Sequence, residues 1–124
     1  MKVFDTTVLI AYLRGSDKAR DALRSALARD QAVGSVISRV EIEGGMRTHE
    51  RSAVFRLFSV LPLEPVTDMI ASRAGEFLRR HRRSHRGIET VDYVIAATAD
   101  VLGAELLTLN IKHFPMFRGL KPAF

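Results

Sequence analysis

Short strand-like segments alternate with helical segments along this chain, and this alternation constrains the fold more than any other feature. The strand-like segments are rich in Val, Ile and Leu and cover residues 1–4, 32–37, 60–66 and 104–109. Apolar residues at helical spacing fill the intervals between them. Strands separated by helices form βαβ units, in which helices cover both faces of a parallel sheet. The sequence therefore predicts an α/β fold with a mostly parallel central sheet.

One of the helical segments must be buried on most of its circumference. Residues 91–102 carry only two charged side chains, and Gly103 follows as a helix stop. Elsewhere the boundaries depend on capping signals. Ser38 is expected to open the helix after the second strand, and Asn110 is expected to end the last strand.

The length of 124 residues fits a single domain spanning residues 1–124. No apolar run approaches the roughly 18 residues of a membrane span, and the start lacks the apolar stretch of a signal peptide. We therefore expect a cytoplasmic protein without membrane contact. The absence of cysteine excludes disulfides, thiolate nucleophiles and Cys-ligated zinc, and leaves oxygen-bound metals open.

The positive charge of the chain is localised. The net charge is +5, from 19 Lys and Arg against 14 Asp and Glu. Five arginines lie in the stretch RRHRRSHR, here called the arginine run: Arg79, Arg80, Arg82, Arg83 and Arg86. Such a run is either a solvated surface at a helix end or a phosphate-binding patch, for which the bidentate Arg side chain is well suited.

Four oxygen-bearing side chains are predicted to meet at one edge of the sheet. Asp5 and Asn110 follow the first and last strands, while Glu41 and Asp92 lie in the first turns of helices. Ligands of open parallel sheets bind beyond the carboxyl ends of the strands. Carboxylates about 5 Å apart repel by several kcal/mol at an effective dielectric near 20, so they take up protons or bind a cation. Oxygen ligands favour Mg²⁺ or Mn²⁺, which suits phosphodiester hydrolysis.

Each of these residues also has a purely structural interpretation. Asp5 fits an Asx-turn or helix cap, and Asn110 fits a turn at a strand end. Ser38 and Glu41 match a capping box, in which the glutamate folds back onto the serine amide. Asp92 is favoured in a first turn by the helix dipole. Caps explain each acid singly but give no reason for all of them to lie at one edge.

Four strings in this order, FDTTVLIAYL, SRVEIEGG, VDYVIAATA and LLTLNIKHF, resemble the PIN domain and, within it, the VapC-type ribonuclease toxins of toxin-antitoxin pairs. The resemblance extends from residue 3 to residue 114. It implies an α/β/α sandwich, Mg²⁺- or Mn²⁺-dependent endonucleolytic cleavage of RNA, a homodimer, and a cognate antitoxin that covers the site.

The resemblance also assigns roles to residues. Asp5, Glu41 and Asp92 match the metal-binding acids of the family, and Gly45 matches its small residue one turn after the glutamate. Asn110 matches the fourth catalytic position, which is often aspartate. An amide there orients a water or the substrate instead of lending charge to a second metal, so a two-metal mechanism is in doubt.

The expected mechanism places a metal on Asp5 and Asp92, with Glu41 bound directly or through water, and a water attacks phosphorus in line. We expect Thr6 to support Asp5 through a hydroxyl hydrogen bond, the alternative being a cap of the first helix. His113 is expected to pack against its loop.

Two other functions are compatible with parts of this pattern. A PIN-like module that has lost catalysis would serve as an RNA or protein scaffold, although three retained acids argue against it. A housekeeping RNA-processing nuclease would use the same chemistry without an antitoxin. A phosphoryl-accepting receiver domain would need paired acids after its first strand, where this chain has threonines.

Overall fold

The computed structural model describes residues 1–124, and a parallel four-stranded sheet lies at its centre. The strands are β1 (Lys2–Phe4), β2 (Ala32–Ser35), β3 (Leu63–Glu64) and β4 (Glu105–Leu107). Their order across the sheet is β3-β2-β1-β4, and all three neighbouring pairs are parallel. The predicted parallel α/β architecture is confirmed.

Six α-helices cover the two faces of the sheet. They are α1 (Thr6–Leu13), α2 (Asp17–Ala28), α3 (Val36–Gly45), α4 (Arg51–Val60), α5 (Asp68–His81) and α6 (Thr90–Leu102). Two separate apolar clusters result, one built mainly from α5 and α6 and the other from α1 to α4. The protein is thus a three-layer α/β/α sandwich. No helix combines the length and apolar character that crossing a bilayer requires.

The central strand β1 contributes to both clusters because its side chains alternate between the faces. Val3 packs into the α5 and α6 cluster and Phe4 into the opposite one, and both are fully buried. The helix predicted to be buried is α6, whose residues Ile95 to Ala99 are all inaccessible. Gly103 ends it in the left-handed conformation at φ 62°, which glycine adopts without strain.

The register of β1 and β4 decides which residues meet at the carboxyl edge. Phe4 pairs with Leu107, and the amide of Asp5 donates to the Leu107 carbonyl at 2.9 Å. Asp5 and Thr108 each come one residue after the end of their strand, and they therefore lie side by side. The first turn of α1 and the loop after β4 consequently share one site.

Two predicted boundaries are wrong, and both errors involve site residues. Helix α3 begins at Val36 instead of Ser38, because the Ser35 hydroxyl accepts from the Ile37 amide at 3.1 Å and caps the helix earlier. Strand β4 ends at Leu107, so Asn110 does not follow it directly. The β-branched pair after Ser35 had suggested a longer strand, but a cap outweighs that local preference.

Candidate active site

Asp5 is held at the centre of the carboxyl edge by two threonine hydroxyls. Its Oδ2 accepts a hydrogen bond of 2.7 Å from Thr7 Oγ1 and one of 2.8 Å from Thr108 Oγ1. Asp5 is only 2% exposed, and its Oδ1 makes no hydrogen bond within the chain. Asp5 occupies the N-cap position of α1 without making a side-chain capping bond. Its side chain is thus oriented by one hydroxyl two residues away and one 103 residues away, and it does not cap the helix.

The two hydroxyls that orient Asp5 are themselves fixed by backbone amides. Thr7 Oγ1 accepts from the Leu109 amide at 3.1 Å, and Thr108 Oγ1 accepts from the Asn110 amide at 3.0 Å. Each hydroxyl therefore donates to the carboxylate and accepts from the loop after β4. This arrangement leaves the Asp5 carboxylate little freedom to rotate.

Glu41 lies on α3 and is held by Thr6. Thr6 Oγ1 donates to Glu41 Oε1 at 2.6 Å and lies 2.8 Å from Ser38 Oγ. Since the single Thr6 proton goes to the carboxylate, Ser38 is the donor to Thr6. The expected capping box is absent, because Ser38 lies inside the helix and Glu41 points to Thr6. The prediction that Thr6 supports Asp5 is wrong: Thr7, its neighbour in sequence, fills that role.

Asp92 performs two tasks in the first turn of α6. Its Oδ2 accepts from the Glu89 amide at 3.1 Å, as the capping interpretation predicted. The same oxygen lies 3.0 Å from His113 Nδ1. The expectation that His113 only packs against its loop is therefore wrong. Helix α6 and the short 3-10 turn at Ile111–His113 bring the imidazole and the carboxylate together.

Asn110 lies immediately before that 3-10 turn, and its side chain makes no hydrogen bond. Its backbone takes part in the site, since its amide donates to Thr108 and its carbonyl accepts from the His113 amide at 3.0 Å. A catalytic role for the amide side chain stays a prediction.

The three acids influence one another electrostatically. Partial loss of solvent raises the pKa of Glu41 above 4.5, and the charges of Asp5 and Asp92 raise it further against the opposing bond from Thr6. Desolvation also raises the pKa of Asp92 above 3.8, with Asp5 adding to the rise, while the Glu89 amide and His113 oppose it. Like charges have thus been gathered at this edge, as the sequence predicted.

The donor chemistry of this edge fits a hard divalent cation, although the acids do not enclose one as they stand. No three Asp, Glu, His or Cys side chains of the chain lie in an arrangement that could hold a metal ion. Each acid instead accepts hydrogen bonds from protein groups next to it. Carboxylate oxygens, an excess of negative charge and the unbonded Oδ1 of Asp5 are nevertheless the features that Mg²⁺ and Mn²⁺ require.

The arginine run lies on the connection that leads into α6. Arg79 and Arg80 belong to the last turn of α5, and the other three follow it. All five are exposed and none forms an ion pair. The run is therefore available to an anionic partner.

Sequence reasoning missed Thr7, Thr108 and Ser38 as members of the site. A hydroxyl next to a candidate acid, as in the string DTT, was the available indication for Thr7. Thr108 gave no local indication, because its role follows from the alignment of two strands that are far apart in sequence.

Comparison with known proteins identifies the family. A model of the PIN domain matches residues 2–115. The chain is 52% identical over 124 residues to Ribonuclease VapC10 of Mycobacterium tuberculosis, covering 100% of this chain and 93% of that protein. It is 42% identical over 125 residues to Ribonuclease VapC19 of the same species, covering 100% of both.

Solved structures share the fold. A toxin-antitoxin complex from Klebsiella pneumoniae matches with a TM-score of 0.80 and 24% identity, covering 100% of this chain and 98% of that one. VapBC2 from Rickettsia felis, bound to a DNA fragment from their promoter, matches with a TM-score of 0.81 and 20% identity, covering 96% and 94%. With a family model matched over most of its length and relatives similar along all of it, the chain belongs to the PIN-domain family, in its VapC branch.

Proposed function

We propose that this protein is a Mg²⁺- or Mn²⁺-dependent endoribonuclease and the toxin of a toxin-antitoxin pair. The observation that carries the proposal is the carboxylate of Asp5, held by two hydroxyls with one oxygen unbonded. Glu41 and Asp92 lie near it, and their pKa values are raised by desolvation and further by the charge of Asp5. The full-length similarity to proteins named ribonucleases supplies the substrate class.

Asp5 and Asp92 would hold the ion, with Glu41 bound directly or through water. The ion, when bound, polarises a phosphodiester and lowers the pKa of an attacking water. In-line attack of water on phosphorus leaves a 5′-phosphate and a 3′-hydroxyl.

The protein's own side chains orient the acidic groups of the site and bind the substrate. Thr7 and Thr108 keep the Asp5 carboxylate in place, which avoids reorganisation during the reaction. Desolvation raises the pKa of Glu41 and the charges of Asp5 and Asp92 raise it further, a repulsion that a bound cation would offset. The arginine run binds RNA phosphates on the approach to Asp92.

Incubation of the protein with total RNA and Mn²⁺ tests the activity. Cleavage is expected with Mn²⁺, and is expected to disappear with a chelator and in the Asp5→Asn variant. Cleavage that survives either change would point to contamination or a metal-free mechanism and would refute the proposal.

One observation favours a second candidate, a catalytically silent RNA-binding module. No three acids are arranged to hold an ion. In that case RNA would bind without being cut, and Mn²⁺ would neither bind nor raise the melting temperature.

The partners follow from the family. Structural neighbours of this chain include toxin-antitoxin complexes, which supports a cognate antitoxin for it. A homodimer is expected, and the exposed Phe55 on α4, with 76% of its surface accessible, is available for a protein contact. Co-expression with a small reading frame adjacent to the gene, followed by size-exclusion chromatography, would reveal a complex and its stoichiometry.

A further inference from the structure

A groove of about 480 Å³ extends from Glu41 along α3 to the segment 47–50 that follows the helix. Its walls include Ile10 from α1 and Met46 after α3, and it contains the side chains of Arg14 and Arg47. Neither arginine forms an ion pair. Glu41 of the active site thus lines one end of the groove, and two arginines that form no ion pair line it together with Glu50.

Gly45 keeps this groove open. It lies four residues after Glu41 on α3, so both face the same side of the helix, about 6 Å apart along the axis. A Cβ built on Gly45 would meet no atom within 4 Å. A side chain at this position would thus enter the groove without disturbing the protein.

From these features we infer that the groove is a nucleotide subsite of the active site, which binds a nucleotide of single-stranded RNA next to the scissile phosphate. The inference rests on the proposed function. Its volume falls in the range of small-ligand pockets, and it pairs apolar walls for a base with free guanidinium groups for phosphate. Whatever fills it lies against Glu41, as the substrate of the proposed nuclease must.

The sharpest test compares two substitutions on the same helix. Gly45→Leu would fill the groove, whereas Gly44→Leu would place the same side chain on α3 at a position that does not line it. Gly44 also has open space around a built Cβ, so both variants are expected to fold, and leucine favours the helix over glycine. Their melting temperatures check this.

Binding is measured in the Asp5→Asn background with a chelator, using a fluorescein-labelled single-stranded RNA decamer of random sequence. We expect Gly45→Leu to weaken RNA binding about tenfold or more, because the contacts in the groove would be lost. Gly44→Leu should leave RNA binding unchanged. Arg14→Gln with Arg47→Gln should weaken binding and reduce its salt dependence.

Equal RNA affinity of the two leucine variants would overturn the inference and leave the groove to a protein segment instead. This outcome is independent of the proposed function, because binding is read without metal or cleavage. Failure of the wild-type protein to cleave RNA with Mn²⁺ would refute the nuclease while the groove test still reports on RNA binding.

Discussion

Thr108 Oγ1 donates a hydrogen bond of 2.8 Å to Asp5 Oδ2 and so joins two residues that are 103 positions apart. The contact exists because β1 and β4 are paired in register, with Phe4 opposite Leu107. It makes the loop after the last strand part of the support of the Asp5 carboxylate.

Thr108→Val should therefore lower metal affinity with little change of shape. Thr108 is fully buried, and removing its hydroxyl leaves Asp5 with one hydrogen bond and the Asn110 amide without its acceptor. We expect a loss of about 10- to 100-fold in Mn²⁺ affinity, typical for groups that orient metal ligands. Isothermal titration calorimetry measures it.

Thr98→Val is the matched control. Its hydroxyl is also buried but donates to the Val94 carbonyl one turn back in α6. We expect Thr98→Val to lose about as much stability as Thr108→Val and to keep its Mn²⁺ affinity unchanged. If both valine variants bound Mn²⁺ equally well, Thr108 would have only a structural role.

His113→Ala should release Asp92 from one of its two partners. The imidazole nitrogen Nδ1 is 3.0 Å from Asp92 Oδ2, and the Glu89 amide alone would then hold that oxygen. We expect weaker Mn²⁺ binding, in the same range of about 10- to 100-fold, with partial recovery in His113→Asn, which keeps a hydrogen-bond donor. Full affinity in the alanine variant would show that the contact is incidental.

Glu41→Gln should stabilise the metal-free protein at neutral pH. Desolvation and neighbouring acids raise the pKa of Glu41 in the folded state, so ionised Glu41 opposes folding above that pKa. The opposition fades as pH falls through the raised pKa, because the carboxyl group becomes neutral. The gain in melting temperature should therefore be present at pH 7 and shrink in acid.

Glu43→Gln controls for the change of charge on α3. Glu43 is exposed and pairs with Arg39 at 3.3 Å, so its replacement should bring no gain at pH 7. Thermal unfolding in chelator across pH measures both variants. Equal behaviour of the two would mean that neither desolvation nor the neighbouring acids oppose the ionised form of Glu41.

Arg82→Gln combined with Arg83→Gln should weaken RNA binding and flatten its salt dependence. Each lost phosphate contact removes about 0.7 from the slope of log K against log salt for single strands. Arg24→Gln on the exposed side of α2, combined with Arg29→Gln directly after that helix, offers a control with the same change of charge. Fluorescence anisotropy at several salt concentrations compares the pairs, and equal slopes would exclude the arginine run as an RNA-binding patch.

Much of this fold could be predicted from the sequence because local patterns agree with it. Alternating segments specify the parallel sheet, and the near absence of charge in α6 specifies its burial. Asp5, Glu41 and Asp92 could be placed at one edge because the carboxyl ends of parallel strands share it.

The detailed contacts could not be predicted, since they depend on register and on helix starts. Thr6 and Thr7 are adjacent and chemically alike, and only the backbone of α1 decides which hydroxyl meets Asp5 and which meets Glu41. His113 reaches Asp92 because of a 3-10 turn, and no periodic pattern in the sequence predicts that turn. The early start of α3 likewise removed the capping box that had been the alternative interpretation of Glu41.

Binding of Mn²⁺ to the wild-type protein and to Asp5→Asn, measured by calorimetry together with the melting temperature, is the most direct test of the central claim that these acids hold a divalent ion. We predict binding at one site in the wild type, with a stabilisation of about 2.7 kcal/mol at a free Mn²⁺ concentration one hundred times Kd, and loss of both effects in the variant. No binding by the wild type, or equal binding by Asp5→Asn, would contradict the account.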